Sequence, residues 1–179
     1  ACEIHSMSME FLTWPWMDRF FKEDTDKFKY AHMSDNVKFL PYGVSVDHFQ
    51  HEVYANPNMT PDERKVIWRK LEKMYVPHKD YTENEFLDKG TFWYNQGHIF
   101  STPFYYIDYT LAGVCAMQFW KRAAQNDPNT FKDYLKICNI GGTKSFVNIV
   151  KDANLISPFE KECIPSIIKD VEEFLYSID

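Results

Sequence analysis

The sequence predicts an all-α protein, and three observations carry that prediction. Strand signals are missing: glycine is scarce, at six residues in 179, and turn signals of the hairpin type are absent. Helix starts, in contrast, recur. Thr60-Pro61-Asp62-Glu63 places a capping residue, a proline at the first helical position and a glutamate where a capping box needs it. Ser157-Pro158-Phe159-Glu160 repeats the device, and Asp127-Pro128 and Thr102-Pro103 are partial versions of it. Finally, apolar residues return at three- and four-residue intervals, the period of a helix with one buried face.

Taken in order, the first expected helix carries Glu3, Met7, Glu10 and Trp14 at intervals that place them on one face. A long helical stretch follows from Thr25 to Tyr54, and Pro41 is expected to kink or divide it. A helix opens at Thr60. The segment from Tyr75 to Pro103 is the least regular, and a loop of that length in a compact domain is either functional or misread. A Pro-capped helix is expected after Thr102. Phe131, Tyr134, Leu135 and Cys138 mark another helix, which Gly141-Gly142 ends. Ile164, Ile167, Ile168, Val171, Phe174, Leu175 and Ile178 mark the last. No repeat, linker or low-complexity tract interrupts the chain, so residues 1–179 are read as a single helical region.

Composition narrows the function. Hydrophobic residues at 45% and charged residues at 26% give the balance of a folded globular chain. The aromatic share of 17% exceeds what a minimal core needs, so aromatics either line a cleft or fill a core with large side chains. A net charge of −6, with no basic run longer than Lys121-Arg122, argues against nucleic acid and against an anionic membrane surface. No apolar stretch approaches the length of a membrane span, and no signal peptide is visible. Cys2, Cys115, Cys138 and Cys163 are widely spaced, which reads as free thiols in a reducing, cytoplasmic setting, three of them on apolar helix faces. The chain starts without methionine and runs straight into a helical pattern, which suggests a fragment or cleavage product.

Three groups of residues could carry chemistry. Glu3 and Glu10 are two carboxylates two turns apart, and buried they would need a cation or a donor network. A water-facing rim explains the same spacing. His5 lies roughly opposite Glu3, so a His–Glu metal pair within that helix is not expected. The second group is His98 with Tyr105, Tyr106 and Tyr109. An imidazole and phenolic hydroxyls are suitable donors for a developing oxyanion, and either Tyr105 or Tyr106 can point with Tyr109 to one place. Ordinary aromatic packing accounts for that cluster too. His48 and His51 share a helix face with Glu52 adjacent, but the spacing is not HExxH, and the plain reading is an exposed or partly satisfied face. His32 and His78 have no constellation around them in sequence. Phosphate loops, nucleophile elbows and calcium loops are absent.

Taken together, Glu3 through Phe11, Pro41-Tyr42-Gly43-Val44 with Phe49-Gln50-His51, and His98 through Tyr109 resemble the oligoendopeptidase F branch of the thimet oligopeptidase-like zinc peptidases. The resemblance continues in Phe119-Trp120-Lys121-Arg122, Gly141 through Phe146 and Ser157-Pro158-Phe159, in the family's order across essentially the whole chain. It implies the all-α, multi-helix C-terminal part of a zincin-type oligopeptidase catalytic domain. It also implies a cytoplasmic metalloendopeptidase acting on short peptides in an enclosed cleft, with one zinc ion. By that resemblance Glu3 is the third zinc ligand and Glu10 a second acidic position on the same helix. His98, Tyr105, Tyr106 and Tyr109 then bind substrate and stabilise the oxyanion, with Tyr109 the firmest match. The family's HExxH helix, which gives two histidine ligands and the general base, has no counterpart in these 179 residues. The missing groups would come from the remainder of the peptidase chain, and this stretch alone is expected to be inactive. The rival expectation is a helical peptide-binding or interaction module without chemistry.

Overall fold

A computed structural model describes residues 1–178, and among them there are helices and turns but no strand. In chain order the helices are α1 (Cys2–Leu12), α2 (Asp18–Phe21), α3 (Thr25–Ala55), α4 (Pro61–Tyr75), α5 (Glu85–Asp88), α6 (Gly97–Ser101), α7 (Ile107–Ala124), α8 (Thr130–Ile140), α9 (Phe146–Asp152) and α10 (Cys163–Ser177). The residues form two compact units, one of Ala1–Asn36 with Leu111–Asp179 and the other of Val37–Thr110. The chain passes from one to the other within α3 and returns within α7. No helix is long and apolar enough to cross a membrane among the described residues.

The first unit is built on Ile4 of α1, Cys115 and Phe119 of α7, Tyr134 and Ile137 of α8, and Ile149 and Val150 of α9. Beside them Trp14 packs on Trp120 and Phe174, with ring centroids 6.2 and 5.3 Å apart. Helix α1 ends at Leu12, so Trp14 rides on the following 3₁₀ turn and is buried while Glu10 is exposed. The shared face expected for Glu3, Met7, Glu10 and Trp14 therefore stops short of Trp14. Helix α8 lies where the spacing put it, and Gly141 ends it at φ +54°. Its inward stripe differs from the expected one. Thr130, Asp133, Tyr134 and Ile137 are buried, whereas Phe131, Leu135 and Cys138 face outward. The Asp133 carboxylate is drawn inward by Arg122 and turns the helix by about one residue from its most apolar face. Cys138 is thus not one of the cysteines on a buried face.

The last helix begins at Cys163, not at Ser157-Pro158, where Ser157 only closes a turn through Glu160 N–H. Pro165 explains the displacement. A proline is tolerated in a first helical turn, where its missing N–H has no partner to lose, but not seven residues into a helix. Asp127 likewise closes a turn by accepting from Asn129 N–H at 2.9 Å, and α8 starts three residues after it.

The second unit packs Val46 and Phe49 of α3 against Trp68 and Leu71 of α4 and against Trp93. Phe49 meets the Trp68 ring edge-on at 5.2 Å and Trp93 at 5.0 Å. Helix α4 opens on the expected capping box: Thr60 Oγ1 accepts from Glu63 N–H at 3.3 Å, and Glu63 Oε2 accepts from Thr60 N–H at 2.7 Å. Pro41 does not divide α3, which runs unbroken over 31 residues. The irregular stretch after Tyr75 resolves into short helical turns, α5, Phe92–Asn95 and α6, rather than an open loop. Gly90 allows their return. Its φ is +86°, and a Cβ there would collide with the Lys65 carbonyl.

Candidate functional site

His98 sits in α6, half-buried, and not in a loop as its flanking Gly97 suggests. The helix expected to start at Pro103 starts instead at Ile107, because Phe104 adopts φ +63° and breaks the turn. That conformation is held from two sides. Phe104 N–H donates to the buried Gln50 Oε1 at 2.7 Å, and the Phe104 ring packs on His51 and Tyr54 at 5.0 and 4.9 Å. Tyr105 and Tyr106 consequently lie in the turn before α7, and Tyr109 lies in its first turn.

This turn brings all four residues together within the second unit. The His98 ring is 5.1 Å from that of Tyr106, 5.6 Å from Tyr109 and 6.5 Å from Tyr105, which it faces in parallel. Tyr109 lies 5.5 Å from Tyr105 and 5.4 Å from Tyr106. His98 Nε2 is 3.4 Å from Tyr109 Oη, and His98 Nδ1 is 3.0 Å from the Gln96 amide nitrogen. Tyr42 O–H donates to Gln96 Oε1 at 2.9 Å. Burial raises the Tyr106 phenol, the nearby Tyr109 raises it further, and a hydrogen bond from Gln96 draws it back. Burial, reinforced by Tyr106 and Glu72, raises the Tyr42 phenol well above its ordinary value. Both phenols therefore stay protonated, as donors, at neutral pH.

Behind this cluster lies a charged layer. Glu72 is fully buried and accepts from Tyr81 O–H at 2.9 Å. Lys79 Nζ is 4.0 Å from Glu72 and stands 4.7 Å over the Tyr42 ring and 3.5 Å over Phe92. Burial lowers the Lys79 ammonium while Glu72 pulls it back up.

Glu3 belongs to the first unit, in the opening turn of α1, half-buried, with Ser6 Oγ donating to its carbonyl at 3.2 Å and to its carboxylate at 3.4 Å. Glu10 is engaged elsewhere. Its carboxylate lies 3.0 Å from His32 Nε2, and His32 Nδ1 accepts from Trp14 Nε1–H at 3.1 Å. His48 and His51 are paired separately, His48 with Tyr75 at 2.9 Å and Glu52 at 3.4 Å, and His51 with Asp47 at 3.3 Å. Among the described residues no three His, Cys, Asp or Glu side chains gather as a metal site. Sequence reasoning missed Gln96 and Tyr42. The signal available was Gln96 two residues before His98, and the question it answers is what occupies the second imidazole nitrogen.

A half-buried imidazole and three phenols thus gather at the start of α7 on an all-helical scaffold. The model of peptidase family M3 matches residues 1–167. The chain belongs to that family. It is 57% identical to PZ peptidase A, solved with an inhibitor, over 99% of this chain and 32% of that one, with a TM-score of 0.96. It is 56% identical over 99% of its length to 32% of a protein assigned as oligoendopeptidase F, also at 0.96. A similar assignment from Bacillus anthracis str. Ames shares 50% identity over 99% of this chain and 28% of that one, at 0.83. No match was found among curated proteins. The chain thus spans about a third of the length of the solved structures it matches. Its fold corresponds to the helical C-terminal part of the family's peptidase domain.

Proposed function

We propose that this chain is the substrate-facing helical part of a zinc-dependent metalloendopeptidase that hydrolyses short peptides in the cytoplasm. The observation that carries the reading is the His98–Tyr109 pair, 3.4 Å apart, with Tyr105 and Tyr106 around it. Membership of a peptidase family supports it. Glu3 offers one carboxylate to the metal, and the remainder of the peptidase chain supplies the two histidines and the general base. Zinc, when bound, lowers the pKa of a water to about 7 and so provides the nucleophile.

This chain's own contribution is at the carbonyl. Attack converts a neutral carbonyl oxygen into an oxyanion, and donors placed on it strengthen as the charge grows. His98 N–H and the Tyr109 hydroxyl are such donors, so they stabilise the transition state more than the bound substrate. Tyr105 and Tyr106 wall the site and limit water, which strengthens both bonds. In the intact enzyme, Tyr109→Phe removes one hydroxyl and keeps the ring. A drop of about 10²–10³ in kcat is expected, and likewise for His98→Ala, with KM and zinc content little changed. If kcat is unchanged in both, the cluster is aromatic packing, and the non-catalytic peptide-binding module becomes the better reading.

A further inference from the structure

Gln96 lies at the His98 ring nitrogen that does not face Tyr109, yet it bears on what those two residues can offer. We infer that Gln96 is a positioning residue: its side-chain amide fixes His98 as the neutral tautomer protonated at Nε2. The inference rests on the oxyanion reading above and adds to it the residue that sets the imidazole's proton.

The amide joins two neighbours. Its oxygen accepts from Tyr42 O–H at 2.9 Å, and its nitrogen lies 3.0 Å from His98 Nδ1. With the oxygen committed to Tyr42, the NH₂ end faces the ring. An amide nitrogen donates and cannot accept, so His98 Nδ1 must be bare. A neutral imidazole carries one proton, which therefore sits on Nε2, 3.4 Å from Tyr109 Oη. With Nε2–H as a donor, Tyr109 is not asked to give its own hydrogen to the ring. Both groups can then donate toward a carbonyl. The opposite tautomer would leave Nε2 bare, and Nε2 would take the Tyr109 hydrogen. Two donors would become none. Tyr42 holds the amide in register, itself kept protonated by burial and by the nearby Tyr106 and Glu72.

The test uses the intact enzyme labelled with ¹⁵N-histidine, whose ring-nitrogen shifts separate bare from protonated positions, with His98→Ala assigning the signal. His98 is expected to show a bare Nδ1 and a protonated Nε2. In Gln96→Leu the ring should become a mixture of tautomers, and kcat should fall about 10–100-fold, by analogy with the cost of removing a partner that orients a metal-bound imidazole. KM and zinc content should stay near wild type. Gln96→Glu, which keeps the shape but can only accept, should favour a proton on Nδ1. Its kcat should fall as pH rises and the imidazolium gives way to the wrong tautomer, a pH dependence that a packing role would not produce. A wild-type His98 protonated on Nδ1 overturns the inference. So does a kcat unchanged in Gln96→Leu when His98→Ala is crippled, and that result leaves the oxyanion reading standing. Unchanged kcat in both variants sinks the oxyanion reading and the positioning role with it.

Discussion

Asp133 is the buried charge on which the first unit depends most directly. Its side chain is 3% exposed and accepts from Arg122 Nη2 at 2.6 Å, Lys136 Nζ at 2.7 Å and Asn154 Nδ2 at 3.0 Å. Burial by itself would raise this carboxyl, but the three donors overcome it and hold it down, from 3.8 to about 2. A carboxyl held at about 2 in place of 3.8 corresponds to about 2 kcal/mol in favour of the folded state at neutral pH. The folded value lies below the unfolded one. The contribution is therefore complete above the unfolded pKa and is lost as pH falls from 3.8 through 2. Asp133→Asn keeps the shape and removes the charge. Arg122 retains Asp127 at 2.7 Å, so it is not stranded, and the expected loss at pH 7 is about 2–3 kcal/mol. Urea denaturation of both proteins at several pH values measures it. The gap between wild type and variant should narrow steadily below about pH 4, and Asp127→Asn, at the more exposed partner, should cost clearly less. A loss under about 0.5 kcal/mol at pH 7, or a gap that acid does not close, would refute the reasoning.

Three further outcomes follow from single contacts. Gly90→Ala should cost about 2 kcal/mol or more in urea melts, since φ is +86° and the new methyl would meet the Lys65 carbonyl; a silent substitution would mean that the return after α5 is freely adjustable. Thr60→Ala should remove about 1 kcal/mol by opening the capping box, and Thr60→Ser should restore most of it. In the intact enzyme Glu3→Gln should lower zinc content and activity together, while Glu10→Gln, whose partner is His32, should matter less to both. Equal zinc in wild type and Glu3→Gln would show that the ligand lies elsewhere.

Much of the fold could be read before any coordinates because helix periodicity and proline chemistry act over a few residues. The Thr60 box, the Gly141 stop and the long helix from Thr25 depend on local geometry alone, and they stand where expected. The failures share a cause. Ser157-Pro158 looks like a helix start until Pro165 is placed in the first turn of α10, and Thr102-Pro103 looks like one until Phe104 is held at φ +63° by Gln50, 54 positions away. Phe131 is the more apolar residue, yet it faces outward because Arg122 draws Asp133 inward.

The candidate site divides the same way. The helical class, the family resemblance and the residue types at 98, 105, 106 and 109 were legible in the order of residues. Spacing along one helix could not say whether three tyrosines and a histidine converge, since their meeting depends on a turn that is not helical. Only the tertiary structure set His98 beside Tyr109, gave His98 its second partner in Gln96, and gave His32 the Glu10 and Trp14 that sequence left unassigned. Local propensities fix φ and ψ over a turn or two. Which side chains then share a hydrogen bond is decided by packing between segments tens of residues apart, and no period in the sequence encodes that distance.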